Sequence, residues 1–354
     1  MPTSQMFFAT TRGSGGFEWE ALSTGDSYQS GLVKKQNATT FQIWYYPASR
    51  KGSSVTTSLS NISASFQVRG QSNMRIYLVG GGGGGTGENA VGGSGGGGLQ
   101  ITSFTPTDLE TFNFTVGRGG RGGWSQSNNE FSGMPTASPA VADPGQATTL
   151  TGTGVNLSAG GGPMSAQINQ GNYNNIYQAT NSINTNNRGF SIQQGSGGRA
   201  GSRSIGGENG SNGNAGGGGG NNYGNAGSDD KGGNGSGDFG GGGGGGNGYD
   251  HTWSTTLRPG GTGATYAFNG GYGGGSGSGD WGQSGRCPVD DSSNYPNFHA
   301  GGGRAYESAD WSGLVRGSSG GGGFPGGGGG SSYYNQYGIG SDGASGIVVF
   351  HWTL

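Results

Sequence analysis

Apolar and polar residues alternate along several short stretches of the chain, as they do in β-strands. Residues 111–116 place Phe112, Phe114 and Val116 on one face and threonine and asparagine on the other. Residues 99–104 show the same period of two. Side chains of a strand point alternately to opposite faces of a sheet, so this pattern predicts strands at both places.

Further strands are predicted at both ends of the chain and before the first long glycine run. Residues 41–46 alternate up to Pro47, and Phe17 and Trp19 indicate a shorter strand. Two stretches, residues 65–69 and residues 75–79, are predicted to pair with each other. Near the other end, residues 346–352 are apolar on both faces, which favours a central strand that is covered on both sides.

Helix is not expected. No window longer than ten residues shows the three-four apolar spacing of a helix, and 91 of the 354 residues are glycine. Glycine costs about 1 kcal/mol per helical position relative to alanine. This much glycine would ordinarily indicate disorder, but charged residues are only 10 % and aromatic residues reach 10 %, which favours an ordered chain.

Glycine runs follow the predicted strands directly. Residues 75–79 lead into six consecutive glycines at 80–85, and residues 111–116 lead into the glycine-rich segment 117–123. Runs without side chains can approach each other on all sides and pair their backbone groups laterally. The predicted fold is therefore all-β, a β-framework that carries a bundle of packed polyglycine II helices with long loops and essentially no α-helix. The alternative, a flexible linker, does not require strands before the first run and after the last.

The composition divides the chain into an N-terminal part of ordinary composition and a glycine-rich remainder. Within the remainder, residues 172–188 carry the least structural signal. The predicted parts are an N-terminal β attachment region (1–54) and a glycine-rich domain (55–354), the latter comprising a β-framework (about 60–158 and 343–354) and a polyglycine bundle (about 159–342).

The residues needed for common chemistry are missing or badly spaced. The four lysines are never followed by serine or threonine, so the many G-x-G-x-x-G matches do not indicate a phosphate loop. His251, His299 and His351 are too far apart for a zinc site on one element, and Cys287 has no second cysteine to pair with. A net charge of -2 with dispersed basic residues argues against nucleic acid as a partner. We therefore expect a non-enzymatic protein without cofactors.

One repeated segment is close to a calcium-binding pattern. Residues 232–239 recur in similar form as residues 274–281, but Asp238 and Asp280 each come one residue later than in the calcium-binding nonapeptide. A repeated turn, with the aspartate capping backbone amides, is the favoured interpretation. Calcium at Asp238 and Asp280 is the weaker alternative.

Aromatic residues occur in the short inserts between glycine runs. Tyrosine and tryptophan give rigid contact area at little entropic cost, so some of them are candidates for receptor binding. The alternative is that they cover the glycine bundle, which has no side chains of its own to exclude water. The candidates are Tyr249, Trp253, Trp281, Tyr295, Trp311, Tyr333 and Tyr334.

Three motifs occur in an order typical of one family. They are an apolar strand that runs into polyglycine (76–85), a second strand that runs into a repeat of glycine and small residues (112–123), and a closing segment (343–350). Together they resemble the glycine-rich domain of phage tail-fibre and tail-tip proteins. The resemblance implies a polyglycine sandwich with variable loops at one end that touch a bacterial receptor. Arg118, Arg121 and His351 depart from the family pattern.

The resemblance leads us to expect a virion tail adhesin. It would dock to other tail proteins through residues 1–54, and it would bind a host glycan or outer-membrane protein. A homo-oligomer is compatible with this role. The N-terminus has no basic start and no apolar run, and no apolar span suits a membrane, so we expect synthesis in the host cytoplasm without membrane insertion. The alternatives are a purely structural tail or capsid decoration protein and a bacterial surface or ice-binding protein.

Overall fold

The computed structural model describes about two fifths of the chain. It covers residues 18–22, 31–36, 40–46, 61–68, 72–86, 92–107, 109–123, 142–164, 178–185, 190–201, 207–211, 216, 232–235, 322, 325–330 and 340–353. Within these ranges the regular secondary structure consists of β-strands, and no helix is present. The prediction of an all-β fold is confirmed.

The described strands are short and lie mostly in the first 200 residues. In chain order they are β1 (Glu18–Leu22), β2 (Gly31–Gln36), β3 (Thr40–Tyr46), β4 (Ile62–Gln67), β5 (Ser72–Val79), β6 (Gly98–Phe104), β7 (Thr111–Val116), β8 (Thr148–Gly152), β9 (Val155–Ala159), β10 (Ser182–Asn184), β11 (Ile192–Gly195) and β12 (Ile347–Thr353).

The strands form two antiparallel sheets. The large sheet has the order β1-β2-β3-β12-β5-β6-β11, and the small sheet has the order β10-β9-β8-β7-β4. As predicted, β12 is central and covered, since it pairs with β3 on one side and β5 on the other, and Ile347, Val348, Val349 and Phe350 are all buried. The N-terminal strands β1–β3 therefore extend the large sheet rather than forming a sheet of their own.

The predicted pairing of residues 65–69 with residues 75–79 is wrong. The first stretch belongs to β4, which pairs with β7 in the small sheet, while β5 pairs with β6 and β12 in the large sheet. Both strands present buried apolar side chains, and each sheet needs an opposing sheet against which to bury them. The chain between β4 and β5 therefore passes from one sheet to the other.

Aromatic side chains fill the space between the two sheets. The ring of Phe350 in the large sheet stacks on that of Phe66 in the small sheet, with centroids 4.5 Å apart. The rings of Phe114 and Phe112 lie 5.5 Å and 6.0 Å from that of Phe350. The alternation predicted for β7 is confirmed, since its phenylalanines are buried while Asn113 is exposed. The two sheets thus share one core, with Phe350 near its centre.

The hairpin of β8 and β9 was not predicted. Leu150, Leu157 and Ala159 face the core, and the two strands meet at a turn in which Gly154 has a φ of 68°. Only glycine adopts this left-handed conformation at little cost. The alternation of apolar residues on both sides of this turn was the signal that could have revealed the hairpin.

Leu109 is strained and exposed at the end of the turn before β7. Its φ is 63° and its relative exposure is 58 %, so it has an unfavourable backbone conformation with little burial in return. A non-glycine residue there costs about 1–2 kcal/mol, whereas asparagine tolerates this conformation better. We expect Leu109→Asn to raise the free energy of unfolding by roughly 1 kcal/mol, as measured by chemical denaturation. Leu109→Ala is the control and should give no gain, and an equal gain from alanine would contradict the explanation by strain.

Candidate functional site: the bundle of glycine runs

In the described part of the chain, seven segments, most of them rich in glycine, lie side by side at one end of the two sheets. They are run A (80–85), run B (92–97), run C (117–123), run D (142–147), run E (160–163), run F (326–330) and run G (340–346). Runs A, C and E follow β5, β7 and β9, while runs B, D and G precede β6, β8 and β12. The sandwich therefore continues directly into a bundle of runs, and the chain enters and leaves that bundle through the strands.

Run A lies at the centre of the bundle, and its amides point to three runs in turn. The amides of Gly80 and Gly83 donate to the carbonyl oxygens of Gly97 and Ser94 in run B, at 2.9 and 2.8 Å. The amides of Gly81 and Gly84 donate to run D, and those of Gly82 and Gly85 donate to run G. The direction thus repeats every three residues, which is the repeat of the polyproline II conformation.

The carbonyl oxygens of run A accept bonds from the three remaining runs. Gly81 accepts from Gly162 of run E at 2.7 Å, and Gly83 accepts from Gly329 of run F at 2.9 Å. Gly82 and Gly85 accept from run C. Run A is therefore surrounded by six runs. Runs B, D and G are antiparallel to it and accept its bonds, whereas runs C, E and F are parallel to it and donate.

The six outer runs are also bonded to each other in a closed ring. Backbone hydrogen bonds of 2.7 to 3.2 Å link every pair of neighbours around run A. In order around the ring, the runs are B, E, D, C, G and F. Neighbours in the ring run in opposite directions, so the direction of the chain alternates around the centre.

Glycine is required in run A because carbonyl groups of the neighbouring runs lie where a side chain would begin. A Cβ at any position from 80 to 85 would lie within 3.0 Å of the carbonyl oxygen of another run. The nearest oxygens belong to run E for Gly80 and Gly83, to run C for Gly81 and Gly84, and to run F for Gly82 and Gly85. This explains why the sequence here is six uninterrupted glycines.

The outer runs tolerate side chains at the positions that point away from the centre. In run C, an added Cβ at Gly117 or Gly120 would meet run D, and one at Gly119 or Gly122 would meet run G. The third face of run C carries Arg118 and Arg121, three residues apart. The arginines that depart from the family pattern therefore occupy the outer face of an outer run.

Charged groups at the margin of the bundle are paired or hydrogen-bonded. Arg118 donates through Nη1 to the carbonyl oxygen of Gly119 at 3.0 Å, and its Nη2 lies 3.5 Å from Oδ2 of Asp143. The carboxylate of Asp342, which is only 3 % exposed, accepts a bond from the amide of Gly122 at 2.9 Å. The ion pair is open to water on the side of Asp143, so it contributes little to stability. The buried carboxylate of Asp342 satisfies the amide of Gly122.

Asn181 takes the place of a glycine run beside run E. Its Oδ1 accepts from the amide of Gly160 at 3.1 Å. Its Nδ2 donates to the carbonyl oxygens of Gly98 and Gly195 at 3.2 and 2.9 Å. One side chain thus satisfies three backbone groups where the strands enter the bundle. Sequence reasoning missed this residue because it lies among the asparagines of residues 172–188.

The predicted site residues all lie outside the described residues. This holds for the seven aromatic candidates Tyr249, Trp253, Trp281, Tyr295, Trp311, Tyr333 and Tyr334, and for the calcium alternatives Asp238 and Asp280. In the described part of the chain, no three histidine, cysteine, aspartate or glutamate residues come together as a metal site would require. The described residues also include no helix that could span a membrane.

Comparison with known proteins agrees with this architecture. The family description "glycine-rich domain" matches residues 57–267, which is more than half of the chain. This span contains β4 to β11 and runs A to E. No curated protein matches the chain. The chain belongs to the glycine-rich domain family.

Proposed function

We propose that this protein is a virion-associated tail-fibre or tail-tip protein that binds the host surface without catalysing a reaction. In this proposal the runs are polyglycine II helices, and the bundle is a rigid scaffold that holds recognition segments at its far end. Binding residues occur disproportionately on loops that a rigid scaffold positions. The host partner would be a surface glycan or an outer-membrane protein.

The observation that carries the proposal is the alternating direction of the runs. Run A leaves the sheets at Val79, so Gly85 marks the end of the bundle away from the sheets. Gly123 donates to Gly85 at 2.9 Å, and Gly340 donates to Gly123 at 2.8 Å. Ser341 donates to Gly330 at 3.0 Å. The ends of runs A, C, F and G therefore meet at one face, which we call the distal face.

Three connecting segments begin and end at the distal face. They join run A to run B, run C to run D, and run F to run G, and they comprise residues 87–91, 124–141 and 331–339. The last of them contains Tyr333 and Tyr334. Since the runs themselves present only backbone, side chains for recognition would come from such segments. Among the aromatic candidates, these two tyrosines are therefore the ones best supported as receptor contacts.

The proposal is tested by binding of the full chain to host cells. We expect Tyr333→Ala or Tyr334→Ala to weaken binding by at least about 2 kcal/mol, the scale of an interface hot spot, with an unchanged melting temperature. Tyr333→Phe and Tyr334→Phe are the controls, because they keep the ring. If both alanine variants lose stability and neither loses binding selectively, the tyrosines are covers of the bundle and a purely structural virion role is favoured.

Attachment to the virion is proposed for the N-terminal region. Strands β1 to β3 extend the large sheet beside β12, so this region shares a sheet with the scaffold. A partner bound to residues 1–54 would then hold the bundle in a fixed orientation. Mass spectrometry of purified particles would show whether the chain is part of a virion, and its absence there would contradict the proposal.

A second candidate function, binding to ice or to another neutral surface, is favoured by the outer face of the small sheet. Two complete rows of uncharged polar side chains cross all five strands, with a strand spacing of about 4.7–4.9 Å. One row is Ser63, Thr115, Thr149, Ser158 and Ser182, and the other is Ser65, Asn113, Thr151, Asn156 and Asn184. An assay of ice recrystallisation with the full chain separates this function from that of an adhesin.

A further inference from the structure

The bundle is open to growth on one side and ends on the other. Beside run B, the amide of Gly95 donates to Gly198 at 2.9 Å. Further out, Glu208 donates to Arg199 at 2.9 Å, and Gly210 donates to Asn234 at 2.8 Å. Backbone bonding thus continues outward there from run to run. Further around the ring lie run E, which is bonded to run B, and then runs D and C. In each of these three runs, the three-residue repeat identifies the direction that points away from the bundle.

Run D ends the bundle with a proline. The amides of Asp143 and Gln146 donate to run C, and the amide of Gly145 donates to run E. Pro144 lies between Asp143 and Gly145. Its backbone nitrogen takes the third direction of the repeat, which points away from the bundle, and the residue is exposed. Proline has no N–H group, so run D offers no donor to a further run at this point.

Run E also has a proline at a position whose backbone nitrogen points away from the bundle. The outward amide of Gly160 donates to the side chain of Asn181. Because the direction repeats every three residues, the next position of this kind is Pro163, which again has no N–H group. The carbonyl oxygen of Pro163 is used inside the bundle, where it accepts from Ser94 at 3.2 Å.

Run C is closed by side chains. The outward amide of Arg118 donates to Oδ1 of Asn61 at 3.2 Å, and the amide of Gly122, on the face toward run G, donates to the buried carboxylate of Asp342. The side chains of Arg118 and Arg121 project from the outer face. A neighbouring run could not approach to hydrogen-bonding distance past these side chains, for the same reason that a Cβ is not tolerated in run A.

We propose that the outer faces of runs C, D and E form a closed edge that prevents a second copy of this chain from adding its glycine runs to the bundle. The chemistry of the bundle fits this partner, because any glycine run that reached the edge could continue the same lateral bonding. Edge strands of β-sheets carry the same risk, and proline and charged side chains reduce it there. The residues that would prevent association at this edge are Pro144, Pro163, Arg118, Arg121 and Asn61.

The test compares two variants of the full chain by sedimentation velocity over a range of concentrations. The open-edge variant carries Arg118→Gly, Arg121→Gly, Pro144→Gly and Pro163→Gly, which restores two amides and removes four side chains. The matched control carries Arg118→Lys and Arg121→Lys and retains both prolines, which keeps a side chain at every position and leaves both amides absent. We expect the open-edge variant to associate with increasing concentration to at least twice the mass of the wild type, and the control to behave as the wild type does.

Circular dichroism and melting curves establish that the variants are folded. A folded open-edge variant with the wild-type mass would overturn the proposal, as would a control that associates equally. Should the open-edge variant fail to fold, Arg118→Gly with Arg121→Gly alone serves as the test, since both side chains are only partly buried on the outer face of run C. That double variant is also expected to associate, and wild-type behaviour of the folded protein would overturn the proposal.

Discussion

Gly82→Ala is expected to unfold the bundle. The added Cβ would lie within 3.0 Å of the carbonyl oxygens of Gly326 and Gly327. Run F would have to move away, which would break its bond to Gly83 and leave buried backbone groups without partners. Overpacking costs about 1–3 kcal/mol, and each buried unsatisfied group costs about 1–3 kcal/mol more. We therefore expect a loss of at least about 3 kcal/mol in the free energy of unfolding, measured by denaturant titration.

The matched controls for this prediction lie in run D. Gly145→Ala places a Cβ against the carbonyl oxygen of Gly81, so it should destabilise the protein strongly as well. Gln146→Ala changes the neighbouring residue, whose side chain already points outward, and should change stability by no more than about 0.5 kcal/mol. Equal effects of the two run D variants would show that the runs are not packed against each other.

Phe350→Ala is expected to have the second large effect. This side chain is fully buried, and its ring contacts those of Phe66, Phe112 and Phe114 from the opposite sheet. Truncation of a buried phenylalanine typically costs 3–5 kcal/mol, because it removes apolar contacts and leaves a cavity. The loss should appear as a lower denaturation midpoint with an unchanged slope. Thr151→Ala on the outer face is the control, and an equally small effect of both variants would mean that the sheets do not share this core.

The sequence was most informative where the polarity of the side chains, or their absence in glycine, decided the local structure. Alternation in residues 111–116 predicted both a strand and its buried face, because β7 has one apolar and one polar side. The continuous apolar stretch at residues 346–352 predicted a covered strand, because it is apolar on both faces. Six consecutive glycines at 80–85 predicted close lateral packing, since no side chain separates this run from its neighbours.

Pairing between strands could not be predicted from local pattern. The stretches that became β4 and β5 are close in sequence, which suggested a hairpin, but they are placed in opposite sheets. Their partners, β7 and β12, lie far away along the chain, and alternation carries no information about such partners. The hairpin of β8 and β9 and the short strand β10 were missed because glycine, threonine and asparagine dominate their surroundings.

The structure of the bundle adds a rule that composition alone did not reveal. Glycine is uninterrupted in the central run, whereas the outer runs require it only at the positions that face another run. In run G these positions are Gly340, Gly343 and Gly346, whose Cβ directions meet backbone atoms of run A and of Val79. The intervening positions carry serine, aspartate and alanine. Where an outer run carries non-glycine residues, their spacing thus indicates which of its positions do not face run A.

Hydrogen exchange of the amides of run A, resolved by NMR, tests the central claim most directly. The claim is that these amides are donors within a packed bundle that continues the sandwich. We predict that the amides of Gly81, Gly82 and Gly83 exchange as slowly as those of Ile76 and Leu78 in β5, because all of them are buried and hydrogen-bonded. Exchange of the glycine amides at the rate of an unfolded chain, while the β5 amides remain protected, would contradict the bundle.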